Sequence, residues 1–509
     1  IYNNTFITIT GSSTSSTVYG LYLSSGTTYN IYGNLFTGFT AAYDVYPVYV
    51  SSVTTLSIYR NKIHNISYTG TGSNRIAAGM YLAATTTYCY NNMVYDIKAA
   101  SATSTTTNVN TRGIQVAGGT NIYLFYNTVY LSYTSAGSTN QSAALYVGSS
   151  TPTVDLRNNI FVNTVDATTG TRAVAFYRNF TSLTSISTNS NNNLYYAGTP
   201  GTKKLIHYDG TNANQTLSAY KTLFTSRDQA SVTEMPPFVS TSSPIDVHLQ
   251  TGTPTFCEGS AIPITTPIAV ATDFDNDVRN ATSPDIGADE FAGTPVSKYV
   301  DAVIVSQALT SNSMLGSTNQ EILRIDISVL GSSGTLNLSS LTATLQNTNN
   351  SAISTGGVKL YRTSTSVFAT TNPVGVGQDP STTVTFSTIN YDLPTGTTYL
   401  WVTYDISAAA TPGNLLDALI AANGITIGSS TFPASDANPT GSRTIAGKVF
   451  NALTVTQAST STINVGSIDN AIIRLQFNVT TSTSAGSATM PLSSINVTPV
   501  ITANNYNNI

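Results

Sequence analysis

The sequence predicts an all-β chain, a right-handed parallel β-helix followed by tandem antiparallel β-sandwich (Ig-like) domains, and three observations carry that prediction. A pattern of apolar, aromatic, any residue, Asn, any residue, apolar recurs at Ile1-Tyr-Asn-Asn-Thr-Phe6, Ile31-Tyr-Gly-Asn-Leu-Phe36, Ile58-Tyr-Arg-Asn-Lys-Ile63, Cys89-Tyr-Asn-Asn-Met-Val94, Leu124-Phe-Tyr-Asn-Thr-Val129 and Leu156-Arg-Asn-Asn-Ile-Phe161. A second motif keeps step with it, as Gly20-Leu-Tyr-Leu23, Pro47-Val-Tyr-Val50, Gly79-Met-Tyr-Leu82, Gly113-Ile-Gln-Val116, Ala144-Leu-Tyr-Val147 and Ala173-Val-Ala-Phe176. Beyond about residue 300 these repeats give way to short alternating apolar runs separated by Gly, Asn, Ser and Pro.

The first two observations define coils. Asn4, Asn34, Asn61, Asn92, Asn127 and Asn159 recur every 27 to 35 residues, with a degenerate copy at Asn193, a period that signals stacked repeats. Short alternating segments with a turn residue at the same place in each round read as parallel strands stacked about 4.8 Å apart. Ile1, Ile31, Ile58, Cys89, Leu124 and Leu156 then form one inward column, and Phe6, Phe36, Ile63, Val94, Val129 and Phe161 another. The asparagines are expected to stack at the bend, each amide bonding the copies above and below and satisfying backbone groups there. Asn also tolerates the left-handed backbone angles of a tight bend.

Aromatic residues occupy outward positions of the same repeats. Tyr2, Tyr32, Tyr59, Tyr90 and Phe125 form one stripe, and Tyr22, Tyr49, Tyr81 and Tyr146 another. A row of flat rings offers a ligand surface for sugars. The competing reading, favoured by the residue types, is rings that stack on one another for stability alone.

Composition narrows the function classes. Only 9% of residues are charged and the net charge is −4, against about 25% charged residues in typical soluble proteins. There is no basic footprint of the kind nucleic-acid binding needs. Cys89 and Cys257 are too few for a disulfide framework, and Cys89 falls in an inward column as a packed thiol. No stretch has the length and apolarity of a membrane span. The chain begins on Ile inside a repeat, so further residues are expected before Ile1, and the second sandwich copy stops short at Ile509, so the chain is expected to continue there or to be completed by a partner. Asn-x-Ser/Thr matches such as Asn65, Asn179 and Asn280 arise by chance in this composition, and no glycosylation is assigned.

Residues 1–200 are the expected coils, with Ser/Thr-rich insertions such as Ala99 to Asn108 on one side. Residues 201–293 break the period, as expected of a C-terminal cap over the open end of a solenoid. Leu217, Tyr220 and Phe224 share one side of a short predicted helix. Pro236-Pro-Phe-Val239, Asp273-Phe-Asp-Asn-Asp-Val-Arg279 and Pro284-Asp-Ile-Gly-Ala-Asp-Glu-Phe291 follow. In combination this tail resembles the C-terminal segment of secreted bacterial (Bacteroidetes-type) β-helix proteins of the pectate-lyase-like superfamily. It departs from that pattern at Thr253-Pro-Thr-Phe-Cys-Glu-Gly259. Asp273, Asp275, Asp277 and Asp285 offer hard oxygen ligands for Ca²⁺. Arg279 alternatively neutralises them in a structural ion-pair knot, which the fit between Arg and carboxylates favours.

Residues 294–446 read as one sandwich module and 447–509 as a second, incomplete one. Val305-Ser-Gln307 recurs 150 residues on as Val455-Thr-Gln457, as Ile322-Leu-Arg324 does at Ile472-Ile-Arg474. Alternation leaves Trp401, the single Trp, as either core or edge. Gly396 to Ser407 with Pro412 to Ala418 resembles the β-sandwich module on the N-terminal side of some Asp-box-repeat sialidases. No catalytic residue of those enzymes carries over.

Catalysis is not expected in these coils. Asp44, Asp96, Asp155 and Asp166 sit at different phases of different coils and no Glu precedes Glu234, so no acid/base pair converges. His64 is expected to face solvent. The leading expectation is therefore a non-catalytic secreted or cell-surface structural, adhesin-type protein, with no resident cofactor and a glycan or cell-surface partner met through the β-helix. The alternative is a polysaccharide lyase or glycoside hydrolase whose catalytic coils lie upstream of residue 1. The resemblance further implies export by a type IX secretion system and attachment through outer-membrane anchoring machinery.

Overall fold

The computed structural model describes residues 1–103, 108–136, 139–149, 152–166, 172–464 and 466–500; positions 104–107 of the Ser/Thr-rich insertion at 99–108 lie outside them. The chain divides into two compact units, Ile1–Ser297 with Gly331–Ser333, and Lys298–Leu330 with Gly334–Ile509. No helix among the described residues is long and apolar enough to cross a membrane.

The first unit is a parallel β-solenoid with three faces. Face one stacks Thr28–Tyr32, Thr55–Tyr59, Thr86–Tyr90, Asn121–Phe125 and Thr153–Arg157. Its register aligns Ile31, Ile58, Cys89, Leu124 and Leu156, all fully buried. Face two runs from Thr5–Ile7 through Leu35–Ala41, Lys62–Tyr68, Met93–Tyr95, Thr128–Leu131 and Ile160–Asn163 to Leu194–Tyr196. It aligns Phe6, Phe36, Ile63, Val94, Val129, Phe161 and Tyr195. Face three stacks Val18–Leu23, Val45–Ser51, Ala77–Ala83, Thr111–Val116, Gln141–Val147, Arg172–Arg178 and Lys204–Tyr208. Burying each large aliphatic of these columns contributes about 1.5–3 kcal/mol. Three copies of the second motif begin with Gly because the chain passes close to its neighbours there: a Cβ on Gly113 would stand 2.3 Å from Val129 Cγ1 and 2.5 Å from Ala144 O.

The segment after the coils differs from the expected end cap, because two parts of it do two jobs. The open end is closed by the antiparallel strand Ala213–Asn214 and the helix Leu217–Leu223, whose Tyr220, with the following Phe224, is fully buried in the solenoid core. Thr216 caps that helix by accepting from Ala219 N–H, which satisfies one donor of its first turn. The remainder, from about residue 235 to 291, turns back along the outer side of face two. Phe238, Val247, Leu249, Cys257, Ile264, Val270 and Ile286 there share a core with Met93, Tyr95, Tyr130, Ile160, Val162 and Leu194. Face two is thus covered on both sides over its later rungs, which is why all of Met93–Tyr95, Thr128–Leu131 and Ile160–Asn163 are buried.

In the second unit an antiparallel sheet runs in the order Tyr299–Gln307, Gln320–Leu330, Gly396–Ile406, Ile353–Thr363. A second antiparallel sheet is built on Asn337–Leu345, which pairs with Thr383–Asp392, Ile425–Ile427 and Ala418–Leu419. Ile325, Ile327, Leu400 and Val402 from the first and Leu341, Ala343, Phe386 and Ile425 from the second belong to one core. Alternation puts Trp401 on the opposite side from Leu400 and Val402, where Phe368 packs on it at 5.5 Å and Thr363 Oγ1 accepts from its indole N–H at 2.9 Å. The 150-residue repeat is kept in three dimensions: Val305 pairs with Ile325 and Val455 with Leu475, and the pairing slips between Val300 and Ala302 as between Phe450 and Ala452. Burial is not kept, since Ile322 is fully buried while Ile472 is half exposed.

Candidate functional site

The bend between faces one and two brings the repeat asparagines onto successive rungs. Asn34 Nδ2 donates to Asn61 Oδ1 at 2.9 Å, Asn61 to Asn92 at 3.0 Å, Asn92 to Asn127 at 2.9 Å, Asn127 to Asn159 at 3.0 Å and Asn159 to Asn193 at 3.0 Å. Asn4 joins at the near end, donating to Asn34 at 3.1 Å. Each Oδ1 also accepts the backbone N–H of the preceding Asn, as from Asn61 N to Asn92 Oδ1 at 3.1 Å. Each Nδ2 reaches carbonyls as well, Asn92 to those of Ile58 and Tyr90. From Asn34 to Asn193 every polar atom of these side chains is therefore used, which is the condition for burying them.

The left-handed residue of the bend is not the ladder Asn but the one before it. Asn3, Gly33, Arg60, Asn91, Tyr126, Asn158 and Asn192 all have φ between 52° and 63°. Five of the seven are Asn or Gly, the residue types that adopt this region at least cost. From Arg60 onward these side chains point outward, and the returning segment grips them rung by rung. Arg60 donates to Phe274 O and Asn276 Oδ1, Asn91 to Thr272 O, Tyr126 to Ile262 O, Asn158 to Ile262 O and Asn192 to Ser260 O. The returning segment is a strap, antiparallel to the direction of stacking.

Arg279 is the strap's deepest anchor. Its guanidinium donates to Asn91 Oδ1 at 2.9 Å, to Gly287 O at 2.9 Å and to Glu290 Oε2 at 3.1 Å, and lies 3.9 Å from the Tyr126 ring. Of the aspartates predicted beside it, Asp273 and Asp285 interact with its charge, while its direct ion pair is with Glu290. Asp273 accepts from the N–H groups of Asp277 and Glu290, and Asp285 from those of Gly259 and Phe291. Burial, outweighing those hydrogen bonds, raises the Asp285 carboxyl to about 7. Asp277 is exposed. Asp275 pairs with His248 Nε2 at 2.9 Å, while His248 Nδ1 meets Asp246 at 2.5 Å. Among the described residues, His248, Asp275 and Asp289 offer ligand-type atoms within 4.8 Å of one another. They are the residues that could hold a divalent cation, in competition with the ion pairs the imidazole already makes.

Face three carries the predicted tyrosine stripe. Tyr22 stacks on Tyr49 at 5.2 Å and Tyr49 on Tyr81 at 4.1 Å, with interplanar angles of 11° and 13°. Gln115 interrupts the column, and Tyr146 beyond it is buried under the Arg112 guanidinium at 4.1 Å. The stripe on face one is equally parallel, with Tyr2, Tyr32, Tyr59 and Tyr90 separated by 5.0, 4.8 and 4.7 Å. Parallel stacking turns ring faces toward each other and leaves edges and hydroxyls outside. Flat faces for a sugar ring remain only where a column ends, as at Tyr22.

No family model matches the chain, and no curated protein matches it.

The polar groups at the closed end were not visible in the sequence. Two inward columns of face three end in His207 and Arg178. Arg178 is fully buried and donates to His207 Nε2 at 3.0 Å, Asp209 Oδ2 at 3.1 Å and Ser182 O at 2.7 Å. Burial, followed by the Arg178 charge, lowers the imidazole to about 4, so His207 is neutral and its Nδ1 donates to Asn214 Oδ1. The asparagine ladder ends on Asp228, which accepts from Asn193 Nδ2, Ser231 Oγ, Tyr195 and Tyr220. Burial raises its pKa against those hydrogen bonds. Elsewhere Asp44 accepts from Ile76 N–H, Asp96 pairs with Lys98 and Asp155 with Arg157. His64 is half-buried rather than free, stacked on Tyr95 at 4.9 Å. Cys89 is fully buried, and burial pushes its thiol pKa up.

Proposed function

We propose that this chain is a non-catalytic structural protein of the adhesin type, secreted or held on a bacterial cell surface, in which a right-handed β-helix of the pectate-lyase-like kind is followed by β-sandwich modules. The observation that supports it best is that most of the buried or paired ionisable groups of the solenoid are tied into its architecture, while Asp166 stands exposed. Asp228 ends the ladder, Arg178 and Asp209 pair inside the closed end, Arg60 and Arg279 fasten the strap, and Asp44, Asp96 and Asp155 are engaged locally. An acid/base pair for glycoside or uronate chemistry needs two groups free to exchange protons across a substrate. These groups are spent on holding the coil together.

A rigid stack with a strap along one flank suits the display of other modules, and stacked aromatic columns stiffen it further. The test has two arms. The chain incubated with polygalacturonate and with neutral polysaccharides is expected to release no unsaturated product and no new reducing sugar ends, and antibody to it is expected to label intact cells of the source bacterium. Product release, or labelling confined to broken cells, overturns the proposal.

A further inference from the structure

Three strands of the first sandwich sheet bring a lysine, a carboxylate and a carboxamide together on the side of that sheet away from the core. Lys359 and Tyr361 alternate with the core residues Val358 and Leu360 on Ile353–Thr363, and Asp405 stands between the core residues Tyr404 and Ile406 on Gly396–Ile406. Asn319 immediately precedes Gln320–Leu330. Lys359 Nζ lies 2.6 Å from Asp405 Oδ2 and donates to Asn319 Oδ1 at 3.4 Å. The same Asn319 oxygen accepts the Tyr361 hydroxyl at 2.8 Å. Asp405 Oδ1 accepts the Asn319 backbone N–H at 2.8 Å and so holds that residue, at φ 52°, against the lysine. The Tyr361 ring is buried against Phe368. Asn319 Nδ2 has no acceptor among the described residues.

An ion pair alone accounts for Lys359 and Asp405, but not for the carboxamide set between them with two donors on its oxygen. Those donors draw electrons from the Asn319 carbonyl and leave its carbon electrophilic. An amine is a nucleophile once it has lost a proton, and a carboxylate within hydrogen-bond reach is the base that takes it. A hydroxyl already aimed at the carbonyl oxygen stabilises the charge that develops there during attack. Nucleophile, base, electrophile and oxyanion donor are thus gathered on adjacent strands, and the one nitrogen that would leave is unanchored.

We propose that Lys359 and Asn319 join in an intramolecular isopeptide bond. Asp405 takes a proton from the Lys359 ammonium, and the freed lone pair on Nζ attacks Asn319 Cγ. The carbonyl electron pair moves onto Oδ1, where Tyr361 O–H donates to it. Asp405 passes its proton to Nδ2, the carbonyl re-forms and the Cγ–Nδ2 bond breaks. Ammonia leaves and takes up the second proton shed by the new amide nitrogen, so the lysine charge departs as ammonium and no oxidant or cofactor enters. The bond closes a loop between residues 40 apart and ties together the two strands that flank Gly396–Ile406. Force applied across that sheet then falls on a covalent bond rather than on ladder hydrogen bonds alone.

The intact mass of the whole chain is expected to lie about 17 Da below the mass its sequence dictates, the loss of one ammonia. Tandem mass spectrometry of a digest is expected to give a branched peptide joining Asn319 to Lys359. Lys359→Arg and Asp405→Ala are expected to keep the full mass, and Tyr361→Phe to slow bond formation in freshly synthesised chain about a hundredfold, as the loss of an oxyanion donor does. Far-ultraviolet circular dichroism of each variant shows that the fold is retained. A full intact mass in the unaltered chain overturns the proposal. So does a mass deficit that persists in Lys359→Arg, which marks ring closure of the asparagine on its own backbone, or a bond that forms undiminished in both Asp405→Ala and Tyr361→Phe. Each of those results leaves the proposed structural role of the chain standing, since that role is tested by product release and cell labelling.

Discussion

The asparagine ladder and the tyrosine columns are both stacks of one residue type on successive rungs, yet they work by different physics. Inside, Asn92 is fully buried and its amide is saturated by Asn61, Asn127, Ile58 and Tyr90. Outside, Tyr49 lies partly in solvent and meets its neighbours through ring faces and edges, with its hydroxyl also bonded to that of Tyr81. A buried hydrogen bond is worth little in net terms but is expensive to leave half-made. A stacked ring pair at the surface adds about 0.5–1.5 kcal/mol and its loss strands nothing. A repeated residue in a solenoid is therefore not one kind of signal: the inner column specifies the bend, and the outer column reinforces it.

The largest expected effect comes from breaking the inner column. Asn127→Ala removes the acceptor of Asn92 N–H and Nδ2 and the donor to Cys89 O, Phe125 O and Asn159 Oδ1. With about 1–3 kcal/mol for each group left unsatisfied, a loss of about 3–5 kcal/mol is expected in urea titration of the solenoid. Asn127→Asp sharpens the comparison, because a carboxylate there would face three acceptors. It should destabilise more than Ala, whereas Asp228 is tolerated at the ladder's end because four donors converge on it. Next comes the strap. Arg279→Met leaves Glu290 without its buried partner and Asn91 Oδ1 without a donor, which costs about 3 kcal/mol when one member of a buried ion pair is removed. Hydrogen exchange should rise along 235–291 and the outer side of face two, with little change in the inward columns.

How much of this was legible follows from where each signal sits along the chain. The ladder was visible because its phase with Ile58, Cys89 and Leu124 is local and recurs. The left-handed position was equally present, as Asn or Gly before most ladder residues, but Asn-Asn pairs blur which of the two makes the turn. The strap was not readable, since its bonds to the coils join residues 68 to 216 apart. Asp273 to Asp285 offered the oxygen set of a cation loop because a sequence does not show which atoms a carboxylate meets: Asp273 and Asp285 take backbone N–H groups of the strap itself, and Asp275 takes His248. Arg178 and His207 look like surface residues until strand register puts them in the columns of Val147 and Phe176. Trp401 was undecidable because its neighbours on both sides are apolar, and only the cover from Phe368 lets an outward Trp be buried.

The outer column gives a smaller expected change. Tyr49→Leu loses stacking on Tyr22 and Tyr81 but keeps an apolar, strand-compatible side chain, so a loss of about 0.5–1.5 kcal/mol is expected. A loss as large as that of Asn127→Ala would erase the distinction between the columns.

The smallest effect tests the same contrast with charge in place of rings. His248 lies on the strap between Asp246 and Asp275, with Asp289 nearby. Burial works against its charge, but the hydrogen bond to Asp246 and the charges of Asp289, Asp246 and Asp275 outweigh it and raise the pKa above 6.5. Because the folded-state value is raised, the stabilisation is complete below the unfolded value near 6.5 and is lost as pH rises through the folded pKa. The pair is partly exposed, so its contribution is about 0.2–1 kcal/mol. Strap protection in hydrogen exchange, corrected for the intrinsic rate, should therefore fall modestly as the solution is taken from acid to alkaline across neutrality. His248→Gln should flatten that dependence, and added salt should weaken it, since surface charge is screened where the buried amides of the ladder are not.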